Sequence, residues 1–237
     1  MTQTTVPVIF DLDGTLVDPA GGITDGIAAA LAASGLPVPA PDLLDAMIGP
    51  KLSDSLLSVA MVPADKLDEV IRLYRQHYLA TGIAQSRLYP GIRETLAGFA
   101  EAGRPVAVAT QKPEGLAQIV LRHHGIAHLF QSIRGSADDE TSTHGPVGKA
   151  DIIAAALADL STQHAIMVGD RAQDVAGAIA NGLDCIGVEW GFAPDGELEV
   201  AGAVTVVDST ESMVVAIERL EAIHTAAMSE VRNDGAV

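Results

Sequence analysis

Several things are scarce in this chain. It has one cysteine, Cys185, among 237 residues, so no intrachain disulfide can form and a reducing, cytoplasmic setting is expected. Cys185 sits in the apolar run Cys185-Ile186-Gly187-Val188, where a thiol serves as a small core group. Aromatic residues make up only 3%, so the core has to be built from Ala, Val, Leu and Ile. Basic residues are few: 14 Lys and Arg face 31 Asp and Glu, a net charge of -17. That balance argues against a nucleic-acid partner, which wants a basic face, and against an anionic membrane surface. It leaves room for a small anionic partner, because a bound cation and a few placed lysines reverse the field locally. No apolar stretch is long enough to span a bilayer. The first eight residues, MTQTTVPV, lack a charged n-region and an apolar h-region, so no signal peptide is read.

What is present is a regular alternation. Strand-like apolar runs fall at 6–10, 105–109, 132–134, 165–168, 184–188 and 203–207, and helical patterns at 92–102, 114–124, 149–159 and 173–181. Alternating strands and helices imply an α/β fold: a Rossmann-like parallel sheet flanked by helices, with right-handed crossovers. Gly103, Gly125 and Gly182 follow helical stretches as left-handed caps usually do. Residues 18–87 break the rhythm, with helices expected at 22–34, 41–48, 52–60 and 64–81 and no strand between them. This excursion reads as an inserted all-helical domain, leaving 1–17 and 88–237 as the α/β core. Val17-Asp18-Pro19 and Leu88-Tyr89-Pro90-Gly91 would be its hinges. Helices packed on one sheet face are the alternative arrangement. The tail from about residue 226 is polar and small and reads as frayed.

Polar residues gather where this scheme puts the carboxyl ends of strands, the usual ligand-binding edge of an open parallel sheet. Asp11-Leu12-Asp13-Gly14-Thr15 follows the first apolar run. Two carboxylates two residues apart can face one centre and repel each other there. A divalent cation resolves the conflict, and so does a division of labour in which one attacks and the other carries a proton. Asp and Gly are also ordinary turn residues. Thr110-Gln111-Lys112-Pro113 follows the second run; a hydroxyl and backbone N–H groups at such a junction suit a phosphate, and Thr is equally a helix N-cap. Lys149 opens a helix, against the helix dipole, in a chain with only four lysines (51, 66, 112 and 149). Asp170 and Asp174 flank the start of the next helix, a spacing that fits Mg²⁺ ligation or an acidic first turn. His123, His124, His128 and His144 show no zinc-ligand spacing with Cys185.

Taken together, Asp11 with Asp13, Thr110, Lys149, and Asp170 with Asp174 resemble, in order and placement, the four motifs of the haloacid dehalogenase superfamily of phosphohydrolases. The resemblance covers nearly the whole chain, with residues 18–87 similar to a type I helical cap. Ile48-Gly49-Pro50-Lys51-Leu52, Leu88-Tyr89-Pro90-Gly91-Ile92, Ala109-Thr110-Gln111-Lys112-Pro113 and Gly187-Val188-Glu189-Trp190-Gly191 resemble the phosphoglycolate phosphatase and 5'-nucleotidase-like branch. Gln111 departs from that branch, which more often has Asn or Ser there. The loop 136–148, with Asp138-Asp139-Glu140 and Thr141-Ser142-Thr143-His144, is longer and more acidic than its usual counterpart.

The resemblance implies a Mg²⁺-dependent phosphomonoester hydrolase of small phosphorylated metabolites. Asp11 would attack phosphorus and form an aspartyl-phosphate. Asp13 would protonate the leaving oxygen and then activate water. Thr110, Lys149 and the backbone at Leu12, Asp13 and Gln111 would bind the phosphoryl oxygens. Mg²⁺ would sit on Asp11, the Asp13 carbonyl oxygen and Asp170, with Asp174 beside them. Asp13 favours a phosphatase or a phosphomutase over the dehalogenases proper, which lack an acid/base Asp there. In the cap, Lys51 is the candidate substrate contact, and Arg72, Arg75 and Tyr78 read as a solvated amphipathic face. The alternatives carried are a sugar phosphomutase, a protein-tyrosine phosphatase and a non-catalytic binding protein. The oligomeric state is unassigned.

Overall fold

At the centre of the molecule is β1 (Val8–Phe10), a three-residue strand with no exposed surface. The computed structural model describes residues 5–137 and 148–234. The acidic residues Asp138, Asp139 and Glu140, and His144, therefore lie outside the described residues. After β1 come β2 (Val17–Asp18), the helices α1 (Gly22–Ala33), α2 (Pro41–Asp45), α3 (Leu52–Ser58), α4 (Leu67–His77) and α5 (Ile83–Gln85), and then β3 (Arg87–Leu88). The rest alternates: α6 (Ile92–Glu101), β4 (Val106–Pro113), α7 (Glu114–His123), β5 (Ser132–Ser136), α8 (Lys149–Asp159), β6 (Ile166–Gly169), α9 (Ala172–Ala180), β7 (Asp184–Val188), α10 (Glu197–Ala201), β8 (Thr205–Val207) and α11 (Thr210–Asp234).

Six strands form one parallel sheet in the order β5-β4-β1-β6-β7-β8. The strands following β1 first build outward on one side, through β4 and β5, then on the other from β6. The reversal of strand order therefore lies at β1, and a crevice opens at its carboxyl end. Alternation along the strands builds two cores. Val8, Phe10, Val106, Val108, Ile166 and Val168 pack on one face. Ile9, Ala107, Ala109 and Met167 pack on the other, with Cys185 among them.

The helices α1 to α5 leave and rejoin the core through a two-residue antiparallel ladder, Val17 opposite Leu88 and Asp18 opposite Arg87. Inside this block Gly22 and Gly82 let two segments touch: a Cβ on Gly22 would come within 2.5 Å of the Gly82 carbonyl oxygen. Its apolar interior, with Ile27, Leu31, Leu56 and Val70, is continuous with the core on one sheet face.

Three differences from the sequence reading stand out. Tyr78 is buried, not part of a solvated face; it lies four residues after buried Tyr74 and shares its side of the helix, while Arg72 is exposed. The helix there does not end at Thr81 but passes through a π turn, Tyr78–Gly82, into α5. The C-terminal helix α11 runs to Asp234, past the point where fraying was expected; Ala226, Ala227, Met228, Glu230 and Arg232 are good helix formers. No helix among the described residues is long and apolar enough to cross a membrane.

Candidate active site

The loop after β1 carries both carboxylates of the first motif. The Asp11 amide donates to the Val168 carbonyl at 2.9 Å, which holds the strand exit against β6. The chain then folds back tightly, with the Leu12 carbonyl accepting from the amides of Leu16 and Val17. Gly14 makes this turn at φ 92°, and a Cβ there would come within 2.1 Å of Asp170 Oδ2. The turn and the neighbouring carboxylate both require glycine. The Leu12 side chain is buried in the core, so only its backbone is available to a ligand.

Asp11, Asp170 and Asp174 come together. All three are buried, and each offers a carboxylate oxygen within 4.8 Å of the others. Asp170 accepts from the Thr15 hydroxyl at 3.1 Å and from the Phe192 amide at 2.9 Å. Asp174 divides its oxygens: Oδ2 accepts from the Arg171 amide at 3.0 Å and Oδ1 meets the Lys149 ammonium at 2.6 Å. It is thus both the third residue of a capping box at the start of α9 and the charge partner of Lys149. Lys149 Nζ also lies 2.5 Å from Asp11 Oδ1, which explains a lysine at the start of α8. Its position opposes the helix dipole because the carboxylates of two other loops hold it there.

Thr110 is buried at the end of β4, where the ladder to β5 becomes irregular between Ala109 and Pro113. It is not a helix cap; that position belongs to Pro113, and the Thr110 hydroxyl accepts from the Lys112 amide. Thr110, Gln111, Asp11 and Asp13 line one side of a small cavity. Ile23, Met47, Ile48, Pro50, Leu52 and Tyr74 line the other. The cavity volume is about 50 Å³. Lys51 caps α3 between two of these residues and is not itself in the wall. Trp190 is also outside the wall; its indole N–H donates to the Thr15 carbonyl and its ring packs near Tyr89.

Two residues that the sequence reading did not assign belong here. Lys112 lines the cavity, and its Nζ lies 2.5 Å from Asp13 Oδ2. Its signal was available: one of four lysines, three residues past a strand core. Arg171 stands between Asp170 and Asp174, donates through Nη1 to the Ile48 carbonyl at 2.6 Å, and bonds Glu197 through Nε. It ties the acidic loop to the cavity wall contributed by the helical insertion.

A family model of the haloacid dehalogenase-like hydrolases matches residues 8–188, from β1 through β7, a span that holds Asp11, Asp13, Thr110, Lys112, Lys149, Asp170 and Asp174. The chain belongs to that family. Among the relatives of this haloacid dehalogenase-like hydrolase is "Tyrosine-protein kinase PtkA" of Mycobacterium tuberculosis, 39% identical over 95% of this chain and 70% of that protein. A "5'-nucleotidase" of Pseudomonas aeruginosa is 37% identical over 81% of this chain and 86% of its own length. The crystal structure of a "predicted phosphatase" from Clostridium acetobutylicum superposes with a TM-score of 0.82 at 34% identity, covering 91% of this chain and 99% of that one.

The electrostatics of this hydrolase fit a hard cation. Burial pushes the Asp170 carboxyl well up, and the charges of Asp11 and Asp174 push it further. Burial also lifts Asp174, to about 6, against the pull of Lys149. Burial works against the charge on Lys149, but Asp11 and Asp174 outweigh it and hold its pKa above the ordinary value. Among the described residues, Lys149 meets Asp11 and Asp174 but leaves Asp170 without a basic partner, so one ammonium faces a cluster of three crowded carboxyl groups. Glycines let the carboxylates pack close to the backbone: a Cβ on Gly191 would strike Asp170, and one on Gly169 would strike Asp174. Three buried carboxylate oxygens this close together suit a small divalent cation with oxygen ligands.

Proposed function

We propose that this chain is a Mg²⁺-dependent phosphomonoesterase that acts on small phosphate esters through an aspartyl-phosphate on Asp11, with residues 18–87 as its cap domain. The observation that carries the reading is the joint placement of Asp11 and Asp13 on one small cavity, with Lys149 against Asp11. Names of relatives such as 5'-nucleotidase support phosphoester chemistry.

In this reading Asp11 supplies the attacking oxygen, and Lys149 offsets charge between it and the incoming phosphoryl group. Thr110 and the backbone at Leu12, Asp13 and Gln111 bind phosphoryl oxygens. Asp13 gives a proton to the leaving oxygen and later takes one from the attacking water. Asp11, Asp170, Asp174 and the Asp13 carbonyl would hold Mg²⁺, which neutralises phosphate charge when bound. The apolar wall formed by Ile23, Met47, Ile48 and Leu52 excludes water during attack and has to open for release. Buried Cys185 and the absence of disulfides fit a cytoplasmic setting.

The test is phosphate release with Mg²⁺ from phosphoglycolate, nucleoside monophosphates, sugar phosphates and phosphotyrosine, with Asp11→Asn as the blank. Likeness to a protein named as a tyrosine kinase is the reason to include phosphotyrosine. Wild-type turnover that vanishes in Asp11→Asn, in a protein that still folds, is the expected result. Full activity in that variant would refute the mechanism, and an isomeric sugar phosphate in place of free phosphate would mark a mutase.

A further inference from the structure

The cavity holds a cation that the reaction outlined above does not use. Lys112 is buried, with 6% of its side chain exposed, and it is gripped from two directions. From the core side, Asp13 Oδ2 lies 2.5 Å from its ammonium. On the other side, the Tyr78 ring centroid lies 4.7 Å from Nζ, within cation–π range. Tyr78 is itself stacked on Tyr74, centroids 5.6 Å apart and rings 17° from parallel, and Tyr74 is a wall of the cavity. The other oxygen of the same carboxylate, Asp13 Oδ1, is buried and has no hydrogen-bond partner among the described residues. A buried carboxylate oxygen left bare is costly unless a ligand completes it. One oxygen is therefore fixed and the other is left for a reactant.

We propose that Lys112 is the positioning residue of the proton carrier: by holding Asp13 Oδ2 it turns Oδ1 toward the departing oxygen of the substrate. The proposal rests on the reading of Asp13 as the acid/base group. In the first step the bond from phosphorus to the leaving oxygen breaks, the bond from Asp11 to phosphorus forms, and the Oδ1 proton passes to the leaving oxygen. The resulting carboxylate keeps its pair with Lys112. In the second step water attacks phosphorus, the bond from phosphorus to the Asp11 oxygen breaks to free the Asp11 carboxylate and inorganic phosphate, and the proton of the water returns to Oδ1. Because Tyr78 comes from the helical insertion, the full grip exists only while that insertion rests on the core.

The test compares two leaving groups in pre-steady-state release of the alcohol, a step before hydrolysis of the intermediate. p-Nitrophenolate departs without a proton, whereas an alkoxide does not. Lys112→Met should slow alcohol release from the best alkyl phosphate of the panel by about 100-fold, the scale of lost general-acid catalysis. Release from p-nitrophenyl phosphate should fall much less, and KM for either should change little. Lys112→Arg should restore part of the alkyl rate. If Lys112→Met does not fold, Tyr78→Leu should show the same bias toward the better leaving group in smaller degree. Equal loss on both esters, or a rise in KM alone, would overturn the proposal, the latter making Lys112 a substrate contact. Alcohol release that survives in Asp11→Asn would overturn the parent mechanism, and that outcome is visible separately from the Lys112 comparison.

Discussion

Replacing Lys149 with Met should destabilise the protein and, at the same time, make its stability more sensitive to Mg²⁺. The ammonium lies 2.5 Å from Asp11 and 2.6 Å from Asp174, and all three side chains are nearly inaccessible. Removing one partner of a buried ion pair costs about 3–5 kcal/mol, because the other charge is left uncompensated. Asp174, already lifted to about 6, can take up a proton, so the lower end of that range applies. About 3 kcal/mol corresponds to a fall in Tm of roughly 6–12 °C for a chain of this size. Without the lysine, the three carboxylates attract a divalent cation more strongly. Saturating Mg²⁺ should therefore raise the melting temperature of Lys149→Met by more than that of the wild type, as linkage requires of a ligand bound only by the folded state. Thermal melts followed by circular dichroism, with Mg²⁺ and with EDTA, measure both effects. A variant that melts within a degree or two of wild type, or that responds to Mg²⁺ no more than wild type, would refute the account of Lys149 as the counter-charge of the acidic cluster.

Arg171→Ala should loosen the Ile48 carbonyl from the acidic loop; kcat/KM should drop several-fold on small esters and less on bulky ones, and an unchanged ratio would count against the tie. Gly14→Ala should cost at least about 1–2 kcal/mol in urea unfolding from its positive φ alone, and more from the displaced Asp170. A near-neutral result would mean the loop relaxes freely. The Arg134 guanidinium and the Ser132 hydroxyl hold the Asp159 carboxyl below its usual value. Asp159→Asn should therefore cost no more than about 1 kcal/mol at pH 7, since solvent reaches 39% of the Arg134 and 33% of the Asp159 side chain and screens the pair. A lowered pKa gives stability that is present above the ordinary carboxylate range and lost as pH falls through the folded value. The gap between variant and wild type should close in acid, and a gap that persists there would sink the assignment.

The sequence disclosed those parts of the site that follow a strand. Asp11, Thr110 and Asp170 sit at strand ends that apolar runs mark clearly, and Lys149 betrays itself by opposing a helix dipole. The pairing of Asp13 with Lys112 was not legible, because it spans 99 residues and depends on the irregular end of β4. The placement of Tyr78 over Lys112 was harder still. It requires the helical insertion to be seated on the core, and the spacing with Arg72 and Arg75 suggested an outer face. Arg171 was hidden for a related reason: its partner is a backbone carbonyl 123 positions away, and a carbonyl carries no sequence signature. The two-residue strands β2 and β3 are too short for any periodicity to reveal.

Those two strands have a consequence of their own. Val17 and Leu88 are cross-strand partners, so their Cα atoms lie only about 5 Å apart although 71 positions separate them. The intervening segment is therefore an interchangeable graft: it departs and returns at one point, and a two-residue turn is geometrically enough to close the gap it would leave. A different excursion spliced at the same junction would leave the path of β1 intact, but it would have to supply its own substitutes for Tyr78 against Lys112 and for the Ile48 carbonyl against Arg171. The sheet alone fixes where β1 ends, whereas the surroundings of Asp13 are shared between the sheet and whatever is grafted at this junction.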